Sequence, residues 1–192
     1  MAITTKNIPF GMADFTISNE DGEIKFDGKN EFQADSGEVT LTPGFEDIVV
    51  QDLGTGLFDQ ILVSWEGEVT IVAAQESIEV LQLAMGATDP IIDSQTSEII
   101  GFTDAAIGSS MRERGRKVNI HRRSAGADNR SQDITIYKMA SIGEFAQTYG
   151  MEQGNVTITM TMFPRDDMDA AKPGNFFFRG PKDPNEPVPA AA

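Results

Sequence analysis

Few side chains of this sequence have the types and spacing that catalysis requires. The single histidine, His121, lies in the basic segment KVNIHRR and is expected to be a strand residue rather than a general base. The glycines of the segment 22–29 are separated by five residues where a phosphate-binding loop has four, and Asn30 follows where Ser or Thr would bind magnesium. The sequence therefore predicts a protein that is not an enzyme.

No residue pattern indicates a metal or another cofactor. The chain has no cysteine, which excludes thiolate ligands and disulfides. Asp166, Asp167 and Asp169 supply oxygen ligands, but their spacing differs from that of an EF-hand loop, and a solvated turn is the simpler interpretation. Among thirty acidic residues, no pair is singled out for glycoside hydrolysis. We expect no metal and no cofactor.

Charge is distributed very unevenly along the chain. The formal net charge is −15, and the segment 30–111 contains fifteen Asp or Glu residues and no Lys or Arg. Seven of the fifteen basic residues lie between Arg112 and Arg130. Such segregation favours contacts between acidic and basic surfaces of separate copies, or repulsion of a polyanion. A solvated surface whose charges happen to be segregated is the competing interpretation, and the net charge disfavours specific binding of duplex DNA.

The elements that carry these residues are predominantly β-strands. Period-two alternation predicts about seven to nine antiparallel strands and one helix. A first hairpin is predicted over 14–26, and the segment 37–86 is predicted to run through several strands into a helix capped by Ser77 and ended by Gly86. The strand over 155–163 has the clearest alternation, with Val, Ile and Met on one face and Thr on the other.

Two further local patterns are more ambiguous. Within the acidic segment, Glu66 and Gly67 are expected to form a turn that divides a long hairpin, because an acidic–Gly pair interrupts the alternation. Ser141 and Glu144 form a capping box at the start of 141–149, although Gly143 weakens a helix there.

The predicted domain organisation is one β domain with appendages. We predict an N-terminal arm over 1–13, a β domain over 14–171 with a long loop at 87–116, and a Pro-rich extended tail over 172–192. Within the tail, the three phenylalanines at 176–178 are expected to dock on this subunit or on a neighbour. No apolar run approaches the length of a membrane helix, so we expect no membrane insertion by the subunit itself.

This order of elements resembles the bacteriophage tail tube proteins, also called major tail proteins. The early hairpin is followed by GEVTLTPGFEDIVVQDLG, by the long hairpin through WEGEVTIVAAQ and by the helix SIEVLQLAMG. The later segments KVNIHRRS, DITIYKMAS and GNVTITMTMFPRDD also resemble segments of these proteins in their residue patterns. The similarity covers roughly residues 14–168. It lies in the order of the elements and in the residue patterns of short segments, not in a set of catalytic residues.

The resemblance implies a mainly β fold, an antiparallel β-sandwich or barrel of two sheets with one flanking α-helix. It implies hexameric rings that stack into the tail tube of a virion, after synthesis in the host cytoplasm. The implied partners are other copies of the chain, the tape measure protein and double-stranded DNA in the lumen, and the tail terminator and tail tip proteins. Contractile and non-contractile tails both remain open.

The candidate site residues are therefore residues of assembly. Candidate inter-subunit contacts are Arg112, Arg114, Arg116, Arg122, Arg123, Glu66 and Glu68. Candidate acidic residues of the lumen or of ring stacking are Glu46, Asp47, Asp52 and Asp59. Two alternatives stay open, an effector-tube ring protein of the haemolysin-coregulated type in a phage-like secretion or injection system, and a β-sandwich binding module of a virion. One Trp and two Tyr disfavour the binding module.

Overall fold

The structure, a computed structural model, describes residues 11–19, 22–54, 56–147, 149–151 and 153–186. Most of the predicted N-terminal arm, the turn of the first hairpin and the last six residues of the predicted tail lie outside these ranges. Within them the chain forms ten β-strands and one α-helix, which are β1 (Ala13–Asn19), β2 (Gly22–Phe26), β3 (Glu38–Val49), β4 (Leu57–Ala73), α1 (Ile78–Met85), β5 (Thr88–Ile92), β6 (Ile99–Asp104), β7 (Arg116–Arg122), β8 (Ile134–Ser141), β9 (Val156–Phe163) and β10 (Phe177–Arg179).

The strands form two antiparallel sheets. The main sheet has the order β2-β1-β7-β8-β9-β4-β3, with β10 added to β8, and the second sheet consists of β5 and β6. Consecutive neighbours are antiparallel throughout, as in β1 with β7 and β4 with β9. The predicted fold class, a mainly β sandwich with one helix, is confirmed.

The main sheet folds back so that the segment after β2 reaches β4. Ala34 N donates to the Val72 carbonyl at 2.7 Å, and Ala74 N donates to the Phe32 carbonyl at 2.9 Å. Between them, Gln33 pairs with Ala73 and its amide donates to carbonyls on β1 and β2. The two ends of the sheet are thereby joined around one core.

The core consists of the inward residues of six strands and the helix. Alternate residues of β9 and of the second half of β4 are fully buried, as are the facing residues of β1, β7 and β8. The predicted alternation of the strand over 155–163 is confirmed, with Ile158 and Met160 inside and Thr157 exposed. The core set includes Phe15, Ile17, Phe26, Val69, Ile71, Val118, Ile136, Met139, Val156, Ile158 and Met160.

Helix α1 closes one side of this core. The Ser77 hydroxyl accepts a hydrogen bond from Val80 N, and Val80 and Leu83 are buried. The helix ends at Gly86, whose φ is 65°, and a Cβ there would lie 2.1 Å from the Ser141 carbonyl oxygen. The predicted cap and end of the helix are both confirmed.

The predicted turn at Glu66 and Gly67 is wrong. Strand β4 continues without interruption through both residues and pairs with β3 along its length. Gly67 is present because the strand is tightly packed there, since a Cβ would lie 2.9 Å from Met162 Sδ. The real connection between the two strands follows β3 and includes Gly54, which has a φ of 93°.

Two other predictions are also corrected. The segment 87–116 is not one long loop, because residues 88–104 form the antiparallel pair β5 and β6. Pro90 and Gly101 interrupt the alternation that would have indicated strands there. The capping box at Ser141 starts no helix among the described residues of 141–149, because Ser141 is the last residue of β8 and pairs with Met160.

The described part of the predicted tail is packed on the domain. We call residues 175–186 the strap. Its strand β10 pairs with β8, with Phe177 opposite Ile136, and Phe176 and Phe177 pack against the core. The expectation that the phenylalanines dock is therefore met on this subunit, because Phe178 also lies against the ring of Tyr137, with centroids 5.6 Å apart.

A hydrogen-bond network holds the far end of the strap. Tyr137 Oη donates to Asp183 Oδ1 at 2.6 Å, and Asn185 Nδ2 donates to Tyr137 Oη at 2.8 Å and to the Gly174 carbonyl at 2.7 Å. Burial, followed by the hydrogen bond to Asp183, raises the pKa of Tyr137 from 10.0 to about 12. The folded protein therefore favours the neutral phenol more than an unfolded chain does.

We predict that the strap loosens in alkali. Because the pKa of Tyr137 is raised on folding, its stabilising contribution is complete below pH 10 and is lost as the pH rises through about 12. The single tryptophan, Trp65, contacts Phe177 of the strap, so its fluorescence should change over this interval. Tyr137→Phe should remove this transition, and an identical transition in the variant would contradict the assignment.

Candidate assembly surface

The first half of β4 and the second half of β3 form a two-stranded ribbon that no other described element covers. We define the ribbon as Gly44–Val49 together with Leu57–Ser64. Its larger apolar side chains are 48–62% exposed, and they are Phe45, Val49, Leu57, Phe58, Ile61, Leu62 and Val63. They lie on both faces, because Phe45 is opposite Leu62 while Glu46 is opposite Ile61.

The ribbon also has unpaired edges. Strand β9 pairs with β4 only from Glu68 to Ala73, and β3 is the last strand of the main sheet. Pro43, which lacks an amide hydrogen, lies in β3, as is usual for an edge strand. An isolated two-stranded hairpin is marginally stable in water, and exposed edges add strands readily. The ribbon therefore has the apolar area and the hydrogen-bonding groups of an association surface.

A β-bulge marks the point where the ribbon leaves the sheet, and a second irregularity lies at the far end of the ribbon. The register of β3 and β4 shifts between Gly44 and Phe45, and again near Val49. At the first shift, a Cβ on Gly44 would lie 2.2 Å from Ser64 Oγ, so the two strands approach closely there. β-Bulges increase the local twist and bend of a strand. The bulge after Gly44 is therefore the point at which the ribbon bends away from the sheet.

A second surface lies on the outward side of β3, β4 and β9. Rows of side chains cross these strands, and they combine carboxylates with hydroxyls, as in Thr40–Glu68–Thr161 and Glu38–Thr70–Thr159. We call this surface the Thr/Glu face, and its members are Glu38, Thr40, Thr42, Glu66, Glu68, Thr70, Thr157, Thr159 and Thr161. None of these side chains is basic, and the apolar Val72, opposite Thr157, lies on the same side of the sheet. An open groove of about 450 Å³ runs along part of the face, between Thr42 and Thr161.

The structure separates the two predicted acidic sets. Glu66 and Glu68, predicted as inter-subunit contacts, lie on the Thr/Glu face, opposite Thr42 and Thr40. The other set lies on the ribbon or at its end, with Glu46 opposite Ile61, Asp59 opposite Ile48, Asp47 bonded to the Gln60 amide at 2.8 Å, and Asp52 in a short 3-10 turn. All of these carboxylates are exposed.

Two of the five predicted inter-subunit arginines lie before β7 and have partners within the same subunit. Arg112 donates to the Arg165 carbonyl at 2.7 Å and pairs with Asp166. Arg114 donates to the Thr88 carbonyl at 2.9 Å and pairs with Asp89 at 2.6 Å. These two side chains fasten the segments 88–89 and 164–166 to the turn before β7. Their first role is therefore within the fold.

The remaining three arginines lie on or next to β7. Arg123 follows this strand and pairs with Asp14 of β1. Arg116 is half-buried opposite Met139. Arg122 is half-buried opposite Ala13, and its Nε has no hydrogen-bond partner among the described residues. The sequence could not indicate these partners, since Asp14 and Arg123 are far apart along the chain.

The pair β5–β6, which we call the arm, exposes further apolar side chains. Ile91, Ile92, Ile99 and Ile100 are exposed on it, and Ile107 follows. It is attached to the domain by the contacts of Arg114, and the Ala105 N to Ala87 carbonyl bond of 3.0 Å extends the pairing of its two strands by one step at its base. The arm is therefore a second apolar projection, separate from the ribbon in the sheet order.

The single histidine, His121, lies in a buried cluster of side chains that contributes to the fold. His121 Nδ1 lies 2.6 Å from Asp133 Oδ1, and both side chains are buried. The other Asp133 oxygen accepts from Arg130 at 3.0 Å, while the Asp133 carbonyl accepts from Gly180 N of the strap. This cluster joins β7, the start of β8 and the strap.

Within the described ranges, no group of three His, Cys, Asp or Glu residues is arranged to hold a metal ion. In the part of the chain that the structure describes, no helix combines the length and the apolar character that a membrane crossing requires. The sequence matches no protein-family model, and a search of curated proteins finds no similar sequence.

We predict that the Arg123–Asp14 pair stabilises the subunit. Arg123→Glu places a carboxylate beside Asp14 and should cost about 1 kcal/mol of unfolding free energy, because the pair is partly exposed. Exchanging the two charges, with Asp14→Arg and Arg123→Asp, should restore part of the loss in a denaturant melt. Lys117→Glu is the matched control, since Lys117 is exposed and forms no ion pair among the described residues. Equal effects of Arg123→Glu and Lys117→Glu would contradict the role of the pair.

Proposed function

We propose that this protein is a structural subunit of a phage tail tube, which assembles with copies of itself into stacked rings around a channel for DNA. The observation that carries the proposal is the ribbon, which exposes apolar side chains on both faces and has open strand edges. Such a surface is unfavourable on a monomer and becomes favourable when other strands cover it. A ring of copies supplies those strands and removes the edges.

The Thr/Glu face supports a role in lining the channel. Its side chains are carboxylates and hydroxyls, and none of them is a cation. A surface of this kind repels phosphates, so DNA would pass along it without binding. We therefore assign Glu66 and Glu68 to the lumen, and the ribbon carboxylates, such as Glu46 and Asp59, to contacts between subunits. This exchanges the roles that the sequence alone favoured.

The arm supports contacts beyond those of one ring. It is a two-stranded projection with exposed isoleucines, and it lies outside the main sheet. Two separate apolar projections on one subunit suit an assembly that grows both around a ring and along a stack, because heterologous contacts of this type extend without closing. An effector tube of a phage-like secretion system would use the same surfaces, and the cargo of the assembled tube distinguishes it.

Assembly is the decisive test. The purified protein should form rings or tubes, seen by negative-stain microscopy and by sedimentation velocity. Leu62→Asp buries a charge in the proposed interface and should raise the concentration needed for assembly about tenfold or more. Ile142→Asp is the matched control, because Ile142 is similarly exposed but lies outside the ribbon. A wild-type protein that stays monomeric at high concentration, or equal effects of the two variants, would contradict the proposal.

The lumen assignment predicts a change in DNA retention. In assembled tubes, the double change Glu66→Lys and Glu68→Lys should make duplex DNA co-sediment with the tubes, because the Thr/Glu face then attracts phosphates. Glu76→Lys with Glu79→Lys makes the same change in charge near helix α1, away from the face. Retention that is equal in the two double variants would place Glu66 and Glu68 outside the channel.

A further inference from the structure

Trp65 lies at the point where β4 leaves the core. Every described β4 residue before it, from Leu57 to Ser64, is exposed, whereas Gly67, Val69 and Ile71 beyond it are buried. Trp65 itself is partly buried and packs against the core, opposite Pro43 of β3. It is therefore the first inward side chain of β4 and the base of the ribbon.

The aromatic partner of Trp65 comes from the strap. The rings of Trp65 and Phe177 are 5.1 Å apart between centroids and meet edge to face, with an interplanar angle of 77°. This contact is needed because β9 supports β4 only from Glu68 onward. At Trp65 the strand has β3 on one side and, within the described ranges, no paired strand on the other, so the ring of Phe177 provides support there.

Several contacts between the strap and the domain fix the position of the Phe177 ring. Strand β9 occupies the edge of β8 at residues 138–141, and β10 occupies the same edge at residues 134–136. The strap is also anchored by the bond from Tyr137 to Asp183, by the Gly180 N to Asp133 carbonyl bond of 2.9 Å, and by Arg179 bonded to Gln132 at 2.7 Å. Phe177 is thus fixed to β8, and through Trp65 it fixes the base of the ribbon to the same strand.

We propose that Phe177 is a positioning residue for assembly, and that the strap sets the direction in which the ribbon projects. The inference rests on the proposed function, because it takes the ribbon as the surface through which copies associate. A ribbon that pivots at the bulge after Gly44 loses its freedom when it binds, whereas a ribbon held by Phe177 has lost that freedom already. The strap thereby lowers the entropic cost of each contact.

The test compares two phenylalanines of the full-length chain. Phe177→Ala removes the ring that touches Trp65, and Phe178→Ala removes a ring of the same size that touches Tyr137 instead. Phe177→Ala should raise the concentration needed for assembly about tenfold, whereas Phe178→Ala should raise it by less than about threefold. Phe177→Leu retains most of the packed volume without the aromatic contact, and it should resemble Phe177→Ala if the latter is too unstable to measure.

Hydrogen exchange of the unassembled protein gives a readout that does not depend on assembly. In Phe177→Ala, the amides of β3 and β4 around Pro43 and Trp65 should exchange faster, while those of β1 and β7 keep the wild-type rate. If both alanine variants assemble alike, or if exchange at the ribbon base is unchanged, the positioning role is overturned. A wild-type chain that never assembles refutes the proposed function instead. In that case the exchange result still shows whether Phe177 holds the base of the ribbon.

Discussion

The rest of the structure depends on one property of β4, which is buried on one face in its second half and exposed on both faces in its first. From Val69 to Ala73 its inward side chains pack in the core, and β9 pairs with it. Before Trp65 the same strand continues into solvent with only β3 beside it. A fold that only needed a core would end the strand at Trp65, and the continuation is the element to which we assign association in the proposed function.

The sequence predicted the core well, because the core obeys local rules. Alternation located the strand over 155–163, and Ser77 and Gly86 located the helix, since caps depend on a few neighbouring residues. Gly67 was interpreted as a turn residue, whereas its cause is the close approach of Met162 from β9. No local pattern carries that information. The exposure of Ile61 and Leu62 is equally impossible to infer from the sequence, because an exposed ribbon and a core strand can have the same alternating pattern.

The sequence shows that acidic and basic residues are segregated along the chain, but it does not identify the residues that the arginines contact. Arg112, Arg114 and Arg123 all have partners in their own subunit, and these partners include backbone carbonyls as well as carboxylates. A guanidinium with several donors readily joins segments that are distant in sequence, so a basic cluster serves the fold first. The six predicted acidic site residues divide in space, with Glu66 and Glu68 on the Thr/Glu face and the other four on the ribbon or at its end, a separation that appears only when β3 and β4 are aligned.

The carboxylates of the ribbon also affect the stage at which two approaching copies can make contact. Glu46, Asp47 and Asp59 lie among the apolar side chains and Asp52 lies at the end of the ribbon, so two ribbons that approach each other bring like charges together before any apolar contact forms. This repulsion reaches about 10 Å at 0.1 M salt and shortens as the ionic strength rises. The ribbon thus combines adhesion at short range with repulsion at longer range. In the assembly that we propose, such a surface delays spontaneous aggregation of newly made chains and permits tight contact once a template or a high local concentration brings them together.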